Sequence, residues 1–232
     1  MMIQLDRALA FDLETTGLEI FRDQPVSYAL VRFAGSEIDT TYQLVVPEVE
    51  ISPEAQAKHG LDIETLKREG VPLKEAVRSM GNAIVAAGRD RIPLVGMNLY
   101  FDLTILDQQL RGCFGRGLVE AGWDGPIYDV WVVDLLVDRF RKGNRQLDSL
   151  CEHYQVELAD AHNAASDATA SLLVARAQIG RYPWLEERDF TWLASVQRKN
   201  RLARDSNYRD YLTERGEEAH DPLTSWPIGR RD

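Results

Sequence analysis

Three stretches of this 232-residue chain carry side chains whose types and spacing suit chemistry. The first is FDLETTG at 11–17, where Asp12 and Glu14 stand two apart. Side chains two apart in a strand share a face, so these carboxylates project together while Phe11 and Leu13 turn the other way. Adjacent carboxylates repel and resist joint ionisation. A divalent cation relieves that repulsion, and an all-oxygen ligand set suits magnesium or manganese. A solvated edge strand is the alternative for this stretch alone. The second stretch is GMNLYFDLTIL at 96–106, with Asn98 and Asp102 four apart where an expected strand enters a helix. An acid there also serves as an ordinary N-cap. The third is AHNAASDATASLL at 161–173, with His162 and Asp167 five apart. On one continuous helix they would lie about 140° apart. They converge if His162 occupies the preceding loop and Asp167 the first turns, where an acid also complements the helix dipole.

The elements that must position these groups follow from the hydrophobic pattern. Residues 7–14, 25–35 and 40–46 read as strands joined in a meander by the turn-like GSEID. SPEAQAKHG at 52–60 reads as a helix capped by Ser52, with Pro53 first and Gly60 as its stop. Helical spacing recurs over 72–88, 102–112, 145–156 and 166–180, a short apolar strand falls at 92–98, and 125–141 reads as a strand running into a helix. Strands and helices alternate after the meander, which predicts an α/β domain with a mixed sheet. Past residue 180 the periodicity fades into Pro, Trp and charge. The expected division is a domain over 1–180 and a helical or irregular extension over 181–232. Trp184, Trp192 and Trp226 are expected to dock that extension. Asp134 is expected to cap the helix following it, and His59 to end a helix on a polar face.

The net charge of −10 looks wrong for a nucleic-acid binder. Residues 176–232 carry 11 Lys/Arg against 10 Asp/Glu, so the acid excess lies in residues 1–175. A carboxylate cluster that takes up cations inverts its own local sign. From Arg198 to Arg209 five cations face one acid, Asp205, which suits either a phosphate-tracking surface or a solvated helix face. Two distant cysteines argue against a zinc site or disulfide framework. There is no signal-peptide pattern and no apolar run near the roughly 20 residues that span a bilayer. The expectation is a cytoplasmic protein with no membrane partner.

Together, Asp12-x-Glu14, Asp102 in NLYFD and His162-x-x-x-x-Asp167 resemble the histidine subtype of the DEDD exonucleases, the DnaQ-like group, over roughly residues 7–176. Many relatives have a histidine where Met97 stands here. The resemblance implies a ribonuclease H-like mixed sheet flanked by helices and 3′→5′ hydrolysis of terminal phosphodiesters, releasing nucleoside 5′-monophosphates. It implies two divalent cations, Mg²⁺ or Mn²⁺, about 3.5–4 Å apart, held by Asp12, Glu14, Asp102 and Asp167, with His162 as general base. It places the terminal nucleotide against the backbone of Thr15, Thr16 and Gly17, with Leu18 as a wedge and Asn98 and Phe101 alongside. Single-stranded 3′ ends are the implied partners, DNA first and RNA or very short oligonucleotides as the alternative. The extension is a candidate dock for a DNA polymerase. A non-catalytic binding module is the reading of another class.

Overall fold

The computed structural model describes residues 1–35, 37–157, 163–219, 221 and 223–230. A six-stranded sheet runs in the order β4–β3–β2–β1–β5–β6, with β1 (Arg7–Thr15) at its centre. β2 (Pro25–Ala34) and β3 (Glu37–Val46) complete the meander, each antiparallel to its predecessor. β5 (Leu94–Gly96) and β6 (Ile127–Asp129) run parallel to β1, and the two-residue β4 (Val71–Pro72) pairs with β3. The sheet is therefore mixed, as the alternation predicts. β3 begins three residues before the run at 40–46.

The strand alternation of β1 splits the core. Ala8 and Ala10 face one side, together with α5 (Val130–Val137), α6 (Leu147–Tyr154) and α7 (Ala164–Arg181). Leu9, Phe11 and Leu13 face the other, against α3 (Leu73–Arg89) and α4 (Leu99–Phe114). Two short helices precede α3. In α1 (Pro53–His59), the Ser52 hydroxyl accepts the Ala55 N–H and Gly60 closes the helix at φ 73°. α2 (Ile63–Glu69), which the sequence reading leaves out, starts at the cap Asp62.

Beyond a 3-10 turn at Pro183–Glu187, α8 runs from Phe190 to Glu214. Its buried side chains include Gln197 and Asp205, and its hydrophobic stripe is thin. The helix docks largely through polar groups. The Gln197 amide accepts the Asp129 N–H at 2.8 Å and donates to the Ile127 carbonyl at 3.0 Å, completing the edge strand β6 as a neighbouring strand would. Asp205 accepts the Leu223 N–H at 2.8 Å, and Trp226 and Ile228 are buried in the core on the α4 side. Trp184 meets Trp192 edge to face at 6.1 Å.

Asp134 does not cap the following helix. It lies inside α5, fully buried, and binds Arg141, Arg145 and the Tyr154 hydroxyl. The cap of α5 is Asp129, whose carboxylate accepts the Trp131 and Val132 N–H groups.

Candidate active site

Asp12 and Glu14 continue the alanine face of β1, so they point toward α7. That approach is close because both surfaces are small: Ala8, Ala10 and Ala29 on the sheet, Ala164, Ala168 and Ala175 on the helix. Asn163 caps α7 by accepting the Ala165 N–H at 3.0 Å, which leaves Asp167 in the first turn. Carboxylate oxygens of Asp12, Glu14 and Asp167 consequently lie within 4.8 Å of one another.

Asp102 reaches the same place from α4. That helix starts at Leu99, three residues before the expected span, so Asp102 sits inside its first turn and is not its cap. The Asp102 Oδ1 accepts the Leu13 N–H at 3.1 Å, between the two acids of β1. The β1–β5 pairing runs through Leu9–Leu94 and Ala10–Val95, and farther along β1 the Asp102 carboxylate serves as the acceptor for Leu13. The start of α4 is capped from a distance: Asp129 accepts the Asn98 N–H at 3.1 Å and the Leu99 N–H at 2.9 Å. Asn98 itself sits in the left-handed region at φ 54°. A chain of contacts thus leads from Gln197 on α8 through Asp129 to the helix that carries Asp102.

The turn after β1 is locked by its own side chains. Thr15 donates to the Gly17 carbonyl at 2.7 Å, and Thr16 donates to Asp23 at 2.7 Å. Asp23 also accepts the Glu19 N–H, and a Cβ at Gly17 would stand 2.5 Å from its carboxylate, so a larger residue there must displace the Asp23 side chain. The Ser52 N–H donates to the Thr16 carbonyl at 2.8 Å, which fastens α1 beside the turn. Leu18 projects from this turn 81% exposed, which rules out core packing as its role.

Two adjoining hollows form one cleft. The first, about 510 Å³, is walled by Asp12, Glu14, Asp102 and Asp167 with Asn98 and Phe101. The second, about 620 Å³, is walled by Thr15, Thr16, Gly17, Leu18 and Phe101. Leu13, Glu14, Lys58 and Phe101 line both. The structure therefore brings together ten of the eleven residues singled out from the sequence. His162 lies outside the described residues. The sequence reading missed Lys58, Asp129, Asp148 and Gln197. Lys58 and Asp148 line the carboxylate hollow, and Asp129 had a signal, an acid directly before an apolar helical run. His59 ends α1 as expected, but it lies in the wall of the second hollow, and its Nδ1 accepts the Leu61 N–H.

The electrostatics match the geometry. Burial pushes the Asp12 carboxyl well above its usual range, and the charges of Asp102, Asp167 and Glu14 push it further. Burial, then Asp167, raises Glu14 to about 7. Asp102 is raised mainly by burial, against its backbone hydrogen bonds. Lys58 opposes the shifts at Asp12 and Glu14 only in part. Converging oxygens that cannot all ionise unaided fit a divalent cation.

The sequence profile of a family described as exonuclease, RNase T, matches residues 9–175. The chain belongs to this exonuclease family. The matched span holds all the acids of the cleft. Among curated proteins, the PolC-type DNA polymerase III of Oceanobacillus iheyensis is 27% identical over 179 residues, 72% of this chain and 11% of that one. The PolC-type DNA polymerase III of Lacticaseibacillus paracasei is 29% identical over 167 residues, 70% of this chain and 10% of that one. Among solved structures, E. coli Exonuclease I in complex with a dA16 oligonucleotide superposes with a TM-score of 0.69 at 18% identity, covering 82% of this chain and 43% of that one. Exonuclease I from Methylocaldum szegediense gives 0.63 at 20% identity, with 82% and 43% covered. The chain spans about a tenth of the length of the polymerases and under half that of the solved exonucleases. The structural likeness confirms the exonuclease family's fold in this chain. No helix among the described residues is long and apolar enough to cross a membrane.

Proposed function

We propose that this exonuclease-family chain removes nucleotides one at a time from the 3′ end of single-stranded DNA, releasing nucleoside 5′-monophosphates. The observation that carries the reading is the cluster of Asp12, Glu14 and Asp167 oxygens within 4.8 Å, opening into a cleft with an exposed Leu18. Asp12, Glu14, Asp102 and Asp167 would hold a pair of divalent cations, Mg²⁺ or Mn²⁺. When bound, the cations polarise the scissile phosphate and offset the charge that builds on the leaving oxygen.

The chain's own groups do the rest. His162 takes a proton from the attacking water as the new P–O bond forms. The bond from phosphorus to the 3′-oxygen breaks, and that oxygen takes a proton from solvent. Lys58, between the two hollows, faces the phosphate and steadies it. The Thr15–Gly17 backbone holds the terminal nucleotide. Leu18 and Phe101 grip its base by apolar contact, which every base tolerates.

Single-stranded DNA is favoured over RNA by what resembles the chain: an exonuclease solved with a deoxyadenosine oligonucleotide and DNA polymerases. The same polymerases make a DNA polymerase the proposed partner of residues 181–232, with residues 1–180 as the catalytic domain. Two matched 5′-labelled strands, DNA and RNA, with magnesium or chelator, test the reading. A ladder that shortens from the 3′ end of DNA, and stops in chelator, is expected. Faster loss of RNA moves the assignment to RNA trimming. No shortening of either strand with magnesium or manganese overturns catalysis itself.

A further inference from the structure

Of the cations between Arg198 and Arg209, the fold itself engages Arg201 with Asp205, Arg204 with Tyr208 and Arg209 with Asp210. A group without acid partners stands on α3 and just past the end of α4. Lys74 and Arg78 are four apart on α3, a like-charge spacing that destabilises a helix. Both lie over the Phe114 ring, at 5.6 and 5.2 Å from its centroid. Arg89 follows Arg78 by eleven residues, three turns along the same face and roughly 16 Å away. Arg116 stands just past Gly115, which ends α4. All four cations are exposed, and none makes an ion pair or hydrogen bond among the described residues.

Arg78, Arg89 and Arg116 border one hollow of about 700 Å³. Val85, Leu110 and Ala121 give it an apolar floor, Asn82 and Phe114 add to its wall, and no Asp or Glu lines it. Glu120, beside Ala121 in the chain, is held by Arg111 at 2.7 Å. Glu75 and Asp90 flank this face of α3 in sequence, yet neither forms an ion pair among the described residues. The length of α4 separates the hollow from the cleft. Phe101 in the cleft wall and Phe114 are thirteen residues apart on that helix, roughly 20 Å. The hollow and the cleft share no lining residue.

We propose that this hollow binds a free nucleoside triphosphate. In the cleft, acids gather without a cation; here cations gather without an acid, on a chain of net charge −10. Such a concentration of one sign draws an anion. Guanidinium groups meet phosphate oxygens with paired N–H donors. Three of them around one space favour several linked phosphates over a single one. The volume falls within the roughly 300–1,000 Å³ of a small-ligand pocket. The apolar floor accepts the flat face of a base. The Asn82 amide makes no hydrogen bond among the described residues. It offers a donor and an acceptor side by side, the pair that the edge of adenine matches. An inorganic anion would use neither the floor nor the amide. The inference concerns a surface remote from the cleft and stands whether or not the chain is a nuclease.

The test uses the full chain in chelator and ATP labelled on its ribose with N-methylanthranilate, read by anisotropy. Saturable binding is expected, weaker as salt rises. Unlabelled ATP should displace the probe, and AMP should need at least about tenfold more, since it carries fewer phosphate charges. The double variant Arg89→Glu/Arg116→Glu should weaken binding by at least about tenfold and melt no lower than the unaltered chain. Lys58→Ala, in the cleft, should bind the probe as the unaltered chain does. Absence of saturable binding to the unaltered chain overturns the proposal, as does equal binding by the double variant. Loss of binding in Lys58→Ala places the nucleotide in the cleft and overturns it too. Displacement by inorganic triphosphate as readily as by ATP reduces the hollow to a general anion patch. A dT20 strand that displaces the probe at a lower phosphate concentration than ATP makes this face a nucleic-acid path instead.

Discussion

Asp134 in α5 and the pair Asp12 and Glu14 in β1 are carboxylates withdrawn from bulk water, and the chain treats them oppositely. Asp134 is met on one oxygen by Arg141 at 3.1 Å and Arg145 at 2.7 Å, and on the other by the Tyr154 hydroxyl at 2.8 Å. Around Asp12 and Glu14, no lysine or arginine among the described residues stands within ion-pair distance. More acids stand there instead, and the proton affinity of both climbs. Burying a charge without a partner is costly enough that groups normally neutralise or pair. An acid built in as structure arrives with its cations on neighbouring elements. Asp12 and Glu14 are left to take theirs from solution, which is what a metal-dependent site requires.

The sharpest way to break that contrast is to neutralise one acid of each kind. Asp12→Asn should abolish mononucleotide release, yet leave the metal-free protein at least as stable, because it removes a repelling charge. Asp134→Asn should do the reverse. It strands two guanidinium groups against an amide and should lose about 3–5 kcal/mol, while the protein that stays folded keeps its turnover. Thermal melts in chelator beside single-nucleotide release assays read both variants. An Asp12→Asn protein that melts well below the unaltered chain makes the cluster structural and ends the comparison. A smaller effect separates the proton acceptor from the cation holders: His162→Ala should slow turnover by about 10²–10⁴-fold while its magnesium requirement stays the same. Full activity in that variant removes histidine from the chemistry. Smaller again, Gln197→Leu leaves the Asp129 N–H and Ile127 carbonyl buried without partners and should lose about 1–3 kcal/mol of stability. Its melt should shift with little change in activity per folded molecule. Retained stability shows that α8 merely lies on β6.

What the sequence made legible follows the same physical divide. Strand alternation in FDLET gave both the core face and the carboxylate face of β1, because a period of two leaves no freedom. The cap and stop of α1 were readable because Ser52 and Gly60 act locally. The start of α4 was not, since its cap is Asp129, some thirty residues away, and Asp102 looks like a cap in its place. The role of Asp134 was hidden for the same reason, as its partners Arg145 and Tyr154 lie well beyond its own helix. α8 was obscure because it docks through Gln197 and Asp205, which carry no hydrophobic periodicity to detect. Lys58 escaped notice because its meaning is spatial: α1 is tied to the Thr16 turn, and that tie places the lysine over both hollows.

The smallest effect tests the electrostatic half of the comparison directly. In the folded chain Glu14 binds its proton up to about pH 7, whereas in the unfolded chain it releases it near 4.3. Between those values the folded state holds more protons, so stability must fall as pH rises. The metal-free protein should therefore melt lower at pH 7.5 than at pH 5, by on the order of several degrees. Glu14→Gln should flatten the trend, since an amide neither titrates nor repels. Magnesium or manganese at pH 7.5 should raise the melting temperature of the unaltered chain, because cations bind the folded, deprotonated cluster. The increment should shrink toward pH 5, where protons compete for the same oxygens. A metal-free melting temperature that is flat or rises from pH 5 to 7.5 would mean the cleft acids are already satisfied by the chain itself, and the distinction from Asp134 would disappear.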